Sequence, residues 1–488
     1  MKTHTISFCL LFCLILSCFS SCSDNLSTSA DQVDLSSVST TQTQSTYWTT
    51  IFEGYWQDMS YYYLFWDEEE DKSNSYQIES GQESVDWDAL YDEYSEKFDD
   101  IATTFAEETE NLTYQDNQSE YLAALSTRNI AALMYFYEMQ EHLIDHHYYM
   151  YLKNVVFNPD DLTTAQQSIL YYSSTASSIT GATDYKWYNS VILLPPSNVE
   201  LVERDDYNAN YSSFDLQSYV YDTIINSANR PSNVSSISEV ECYSEDSTIA
   251  DSSFVIISCL INGTIPYLYL SSFSLYDYYD YCEDVVDNFY DLVYSSSFDV
   301  SQIIFDFRHN GGGYIADLSL VVGDLLSSSD TVTYAYTRNK SEINRLSYTD
   351  YIPATLIGTR DSGDSLPSCP IIVLDDMGSA SMSEITTLAL KAIAGSNFVQ
   401  MGQRTYGANG GIVGSSSILS NIESNNYYSI YTPSTATYDT DYENHEGYGY
   451  APTDGYDVGA NPLEVDSSGS SQKGYDSMLS TAVGYEAD

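Results

Sequence analysis

Basic residues are scarce: of 488 residues only 16 are Lys or Arg, against 71 Asp or Glu, a formal net charge of −55. With no basic stripe to follow a phosphate backbone, nucleic acid is excluded as a partner. The same field favours cationic over anionic ligands, less strongly as salt screens it. Cysteine is scarce too. Four of the eight, Cys9, Cys13, Cys18 and Cys22, lie at the N-terminus, and the others are Cys242, Cys259, Cys282 and Cys369. None sits in a CxxC or a Cys/His cluster with zinc-like spacing, which argues against a metal site, and no cofactor is implied. Cys242 and Cys259 could pair in an oxidising compartment. No internal repeat stands out, and the apolar run over 6–19 is too short to span a bilayer stably.

That run follows Met1-Lys2 and leads into Ser20-Ser21-Cys22-Ser23-Asp24. A basic start, a short apolar core and small residues before a cysteine describe a secretory signal over 1–22. With cysteine at the cleavage position it resembles a bacterial lipoprotein signal, which makes Cys22 the lipidated first residue. The expected location is the cell envelope, lipid-anchored, periplasmic or surface-exposed. Residues 23–45 are Ser, Thr, Gln and Asp with few large apolar residues, a disordered tether.

From 46 to 152 the pattern is helical. Trp48, Ile51, Phe52 and Tyr55 share a face, as do Leu90, Tyr94 and Phe98, and then Ile130, Leu133, Met134 and Phe136, with an acidic loop over 68–83. Residues 153–253 mix short β-rich runs, 190–194 and 199–202, with turn clusters, and read as a small β-rich insert. From 254 to 488 strand and helix patterns alternate: strands at 254–260, 265–270, 303–307, 332–336, 371–374 and 398–401, helices at 278–294, 317–326 and after 381. This predicts an α/β layer architecture with its chemistry at strand ends. The 48 tyrosines suit a polar, poorly cleavable surface, or a face that contacts carbohydrate or peptide.

Two motifs follow strand-like runs. Gly378-Ser379-Ala380-Ser381-Met382-Ser383-Glu384 leads into a helix and places a hydroxyl at a strand-to-helix turn. Phe305-Asp306-Phe307-Arg308-His309-Asn310-Gly311-Gly312-Gly313 is a glycine loop whose backbone can approach a substrate carbonyl closely. Together they suit a serine nucleophile and its oxyanion loop.

With five further pieces in order, residues 48–458 resemble the tricorn-type branch of the C-terminal-processing (tail-specific) serine peptidases. These are Asp86-Trp87-Asp88, Leu143-Ile144-Asp145-His146-His147, Ile265-Pro266-Tyr267-Leu268, Gly402-Gln403-Arg404-Thr405-Tyr406-Gly407-Ala408 and Glu446-Gly447-Tyr448-Gly449-Tyr450. The resemblance implies an α/β, ClpP/crotonase-like serine peptidase core with a helical N-terminal domain and an insert that is degenerate PDZ-like or otherwise β-rich. It implies a peptide or protein substrate, with Ser381 as nucleophile, His147 as base and Glu446 as orienting carboxylate. The N–H groups of Gly312 or Gly313 and of Met382 would bind the oxyanion. Asp306 and Arg308 brace the loop, and His309 stands outside the chemistry. Where the processing branch carries a lysine base this chain has Ala408, so a serine–lysine dyad is excluded there. On the residues alone, His147 is equally a helix-face histidine beside Tyr148 and Tyr149, and Glu446 one solvated acid among 71. The competing reading is a catalytically silent surface lipoprotein that binds peptide or glycan.

Overall fold

The computed structural model describes residues 44–67, 85–172, 176–193, 215–226, 230–341, 344–361, 363–411, 427–458 and 476–486. The signal over 1–22, all but the end of the tether, the acidic loop over 68–83 and the run 199–202 lie outside them.

Three helices open the described chain: α1 (Tyr47–Tyr62), α2 (Trp87–Thr109) and α3 (Gln118–Gln140). Asp86 starts α2, its carboxylate accepting the Ala89 N–H at 3.0 Å. The helices bury the faces their periodicity defines, with Trp48, Ile51, Phe52, Tyr55, Tyr94, Phe98, Ile130, Leu133 and Phe136 in one core. That core is strongly aromatic. Trp56 and Trp87 stack at 4.0 Å between ring centroids and Phe52 lies 4.8 Å from Phe98. Tyr55, Tyr63, Tyr148, Tyr219, Tyr267, Tyr269 and Tyr438 are among the largest fully buried side chains. Much of the tyrosine is therefore core rather than surface.

These helices pack on a five-stranded antiparallel sheet. It contains β1 (Tyr149–Phe157), β2 (Leu170–Tyr172), β3 (Ser177–Ile179) and β4 (Ala182–Leu193), and also β13 (Tyr428–Tyr431), which pairs with β1. The stretch 153–253, expected as one insert, is divided between two sheets. Its first strands lie here, whereas β5 (Ile237–Ser244) belongs to a separate six-stranded sheet. The far partner of β1 is nearly 300 residues away in sequence, so local pattern could not show this division.

The six-stranded sheet has the order β12-β11-β8-β7-β6-β5, with β6 (Val255–Ile261), β7 (Ile265–Leu270), β8 (Ile303–Asp306), β11 (Ile371–Asp375) and β12 (Phe398–Gly402). β7, β8, β11 and β12 run parallel, and β6 and β5 continue antiparallel. Every residue of β6, β7, β8 and β11 is buried, as continuous apolar runs in a doubly covered sheet require. Alternation sorts the faces. Ile303, Phe305, Ile371 and Val373 pack with α5 (Leu275–Val293), α6 (Asp317–Val322) and α7 (Met382–Ala394). Ile304, Ile372 and Leu374 pack with α4 (Leu216–Ile224) and α8 (Ser477–Val483).

A third sheet joins β9 (Thr331–Arg338) to β10 (Ile352–Ile357) and β14 (Ala436–Tyr438). Cys242, Cys259, Cys282 and Cys369 are free thiols. Among the described residues no helix is long and apolar enough to cross a membrane.

Candidate functional site

Both motifs leave the carboxyl ends of adjacent parallel strands, where open α/β sheets place ligands. After β11 the chain turns through 376–380, and Ser381 adopts φ 54°, ψ −113° immediately before α7. A non-glycine residue at positive φ needs its surroundings to hold it. Glu384 does so from one turn on, accepting the Ser381 N–H at 3.0 Å. The three serines of the motif differ sharply. Ser379 donates to the Phe307 carbonyl at 2.8 Å, Ser383 donates to the Asn310 carbonyl at 2.6 Å, and both are buried. Ser381 between them is partly exposed.

The glycine loop presses against this turn. A Cβ on Gly312, φ 99°, would lie 2.7 Å from Ser381 Cβ and 2.8 Å from the Met382 nitrogen. The Gly312 N–H is engaged, donating to Asn310 Oδ1 at 2.9 Å, while its carbonyl accepts from Phe273. Of the two glycines, Gly313 is therefore the one whose N–H lies outside these bonds. Met382, as the first residue of α7, has no intrahelical acceptor for its own. Arg308 braces the loop from beneath with the expected Asp306, at 2.6 Å, and also with Asp476 at 2.8 Å. His309, at φ 56°, places Nδ1 2.6 Å from Asp376 Oδ2 and donates its N–H to Oδ1 of the same carboxylate. Asp376 also accepts the Gly378 N–H at 2.8 Å, so it joins the glycine loop to the serine turn.

His147 lies in the connection between α3 and β1, not on a helix face. Its N–H donates to Asp145 Oδ1 at 2.8 Å, and Asp145 Oδ2 accepts from Thr432 Oγ1 at 2.6 Å. Glu446, read in the sequence as the orienting carboxylate or else as one solvated acid, has a fully buried side chain, while His147 keeps 17% of its own exposed. Glu446 Oε2 accepts the Gly410 N–H at 2.7 Å, and Oε1 faces His147 Nδ1 at 3.9 Å, beyond hydrogen-bond reach. Burial brings the His147 pKa down to about 4. Burial, followed by the charges of Asp145 and Glu384, pushes the Glu446 carboxyl well above its usual range.

One loop connects the serine turn to this pair. After β12, Thr405 Oγ1 and the N–H of Gly407 donate to Glu384 Oε1 at 2.6 and 2.9 Å, and the Ala408 N–H donates to Oε2 at 2.9 Å. Tyr406 donates its N–H to the Ser379 carbonyl, Gly407 accepts from Gly447, and Gly410 reaches Glu446. The Tyr406 ring lies 4.5 Å from that of His146. The structure thus brings His147 beside Glu446 and ties Glu446 to the Ser381 turn through 405–410. His147 and Ser381 share no hydrogen bond. Sequence reasoning missed Glu384 as the hub of this network, although the Ser-x-x-Glu spacing of a capping box was there to read. It gave no role to Asp145, although that residue stands in the quoted 143–147 motif, and it missed Asp376 and Asp476, whose partners His309 and Arg308 are distant in sequence.

Residues 264–454 match the model of peptidase family S41, a shorter stretch than the 48–458 of the sequence resemblance. Solved structures similar to the chain include a protein of Parabacteroides merdae, at 17% identity over 84% of this chain and 88% of that one, TM-score 0.45. Mature CPAF complexed with lactacystin is similar at 11% identity over 85% and 94%, TM-score 0.39. The photosystem II D1 C-terminal processing protease is similar at 17% over 44% and 58%, TM-score 0.29. At such scores these likenesses carry no functional argument. No curated protein matches the chain.

Proposed function

We propose, taking the peptidase family S41 match of residues 264–454 as premise, that this protein is an exported serine endopeptidase acting through Ser381. The observation that carries the reading is Ser381 itself, a partly exposed hydroxyl at positive φ at the head of a helix. A glycine loop is packed against it, and both neighbouring serines of the motif are bonded to backbone carbonyls.

Ser381 Oγ attacks the substrate carbonyl carbon while its proton passes to His147 Nε2. The oxyanion accepts from the N–H groups of Gly313 and Met382. Collapse expels the amine, which takes the proton from Nε2, and water resolves the acyl-enzyme by the same route. Glu446 orients the imidazole. The 3.9 Å gap to Nδ1 must close by about 1 Å for that bond to form, a change that substrate binding commonly supplies. The same gap is what favours the second reading, a catalytically silent protein that binds peptide or glycan. Anchoring to the bacterial cell envelope through a lipid on Cys22 rests on the signal pattern, and metabolic fatty-acid labelling lost in Cys22→Ser tests it.

Labelling of the purified protein with a fluorophosphonate probe, beside Ser381→Ala and His147→Ala, tests the activity. We expect labelling of the parent and none in either variant. A folded parent that does not label would favour the binding protein.

A further inference from the structure

We infer that Asp145, His147 and Glu446 form a site for a divalent transition-metal ion of the zinc type, and that filling it blocks the histidine. The blocking clause rests on the proposed peptidase reading. The site itself does not.

One ligand atom from each of the three residues lies within 4.8 Å of the other two. Glu446 Oε1 and His147 Nδ1 are buried atoms with no hydrogen-bond partner among the described residues, and the Glu446 side chain is fully buried. Two unpaired atoms facing each other at 3.9 Å are too far apart for a hydrogen bond. A metal about 2.0–2.2 Å from each spans that chord. Asp145 brings the third donor. Its oxygens accept from the His147 N–H and the Thr432 hydroxyl, and a carboxylate oxygen offers more than one lone pair. An imidazole with two carboxylates is an N/O donor set that suits zinc and its neighbours.

Sequence spacing could not show the site, because Asp145 and His147 precede β1 and Glu446 follows β14. A second trio, Asp439, Glu443 and His445, is equally close in space. There His445 Nε2 already lies 3.1 Å from Asp439 Oδ2, and Asp439 Oδ1 accepts two backbone N–H groups. In that trio the histidine and Asp439 already bond each other, and it serves as the control.

The test is calorimetric titration of zinc chloride into the untagged, metal-free protein with its thiols alkylated. The parent and Ser381→Ala should each show one site. Asp145→Asn and Glu446→Gln should weaken it by about 100-fold or more, beyond the loss typical of an outer-shell change. Asp439→Asn should leave it intact. No one-site binding in the parent overturns the proposal, as does binding that survives both Asp145→Asn and Glu446→Gln or is lost in Asp439→Asn. If those variants do not fold, the cobalt(II) absorption spectrum of the parent decides: nitrogen and oxygen ligand-field bands support the site, and their absence overturns it. Fluorophosphonate labelling separates the two readings. Labelling blocked by zinc and restored by a chelator supports both. Zinc binding without any labelling of the metal-free parent leaves the site standing and removes the peptidase. Labelling without zinc binding does the reverse.

Discussion

Glu384 is the residue whose replacement tests the architecture of the site most directly. Its carboxylate is buried and accepts four hydrogen bonds, from the Ser381 and Ala408 N–H groups on Oε2 and from Thr405 Oγ1 and the Gly407 N–H on Oε1. Burial pushes its pKa up while these donors favour the ionised form. Glu384→Ala leaves all four donors without their acceptor, at about 1–3 kcal/mol for each one stranded in the interior, so at least ~4 kcal/mol in all. Glu384→Gln is milder. With its oxygen toward Ser381 and Ala408 and its amide toward Thr405, the hydroxyl can turn to accept, and the Gly407 N–H is stranded. The expected loss is about 2–4 kcal/mol. At roughly 2–4 °C per kcal/mol for a domain of this size, thermal melts should fall by roughly 5–15 °C for Gln and further for Ala. Because Gln retains the Ser381 N–H bond, it should still label with fluorophosphonate, whereas Ala, which frees the positive-φ turn, should not. An Ala variant that melts within about a degree of the parent and labels equally well would refute the argument that this carboxylate holds the turn.

His147 has a folded pKa of about 4 against 6.5 unfolded, so between these values the unfolded chain binds more protons. Its contribution is complete above pH 6.5 and is lost as pH falls toward 4, by about 3 kcal/mol. Urea melts across that window should show a steeper acid loss in the parent than in His147→Gln, and parallel curves would contradict it. Gly312→Ala should abolish labelling and also cost stability, since at φ 99° its Cβ would fall 2.7 Å from Ser381 Cβ and 2.8 Å from the Ala380 carbonyl oxygen and the Met382 nitrogen. Gly313→Ala should likewise destabilise the fold, its Cβ falling 1.9 Å from the Phe273 carbonyl oxygen. A thermal melt beside the labelling gel checks both, and a variant that melts and labels like the parent would contradict the packing argument. Arg308→Lys replaces a buried guanidinium that bonds both Asp306 and Asp476 and should cost about 3–5 kcal/mol. A denaturation midpoint that does not move would show the two carboxylates to be satisfied without it.

Strands such as Val255–Ile261 and Ile371–Asp375 were legible because a short unbroken apolar run bounded by turn residues suits a strand covered on both faces. The helix after Ser381 was legible from its spacing. The placement of His147 was not. Its neighbours Tyr148 and Tyr149 continue the helical composition, yet α3 ends at Gln140 and the histidine lies in the connection to β1. The division of 153–253 between two sheets was equally hidden, since β1 takes its second partner from β13. Cys242 and Cys259, a conceivable pair by sequence, lie on adjacent strands as free thiols.

The sequence by itself determined the layers, the strand-to-helix turn that carries Ser381 and the glycine loop beside it, because these depend on periodicity and on residue types a few positions apart. Only the tertiary structure decided which serine hydroxyl is left unburied, which glycine amide is already engaged, and that Asp145, His147, Glu384 and Glu446 meet across the loop 405–410. Each of these depends on contacts between segments tens to hundreds of residues apart, where burial changes what a carboxylate or an imidazole does and a linear pattern carries no trace of it.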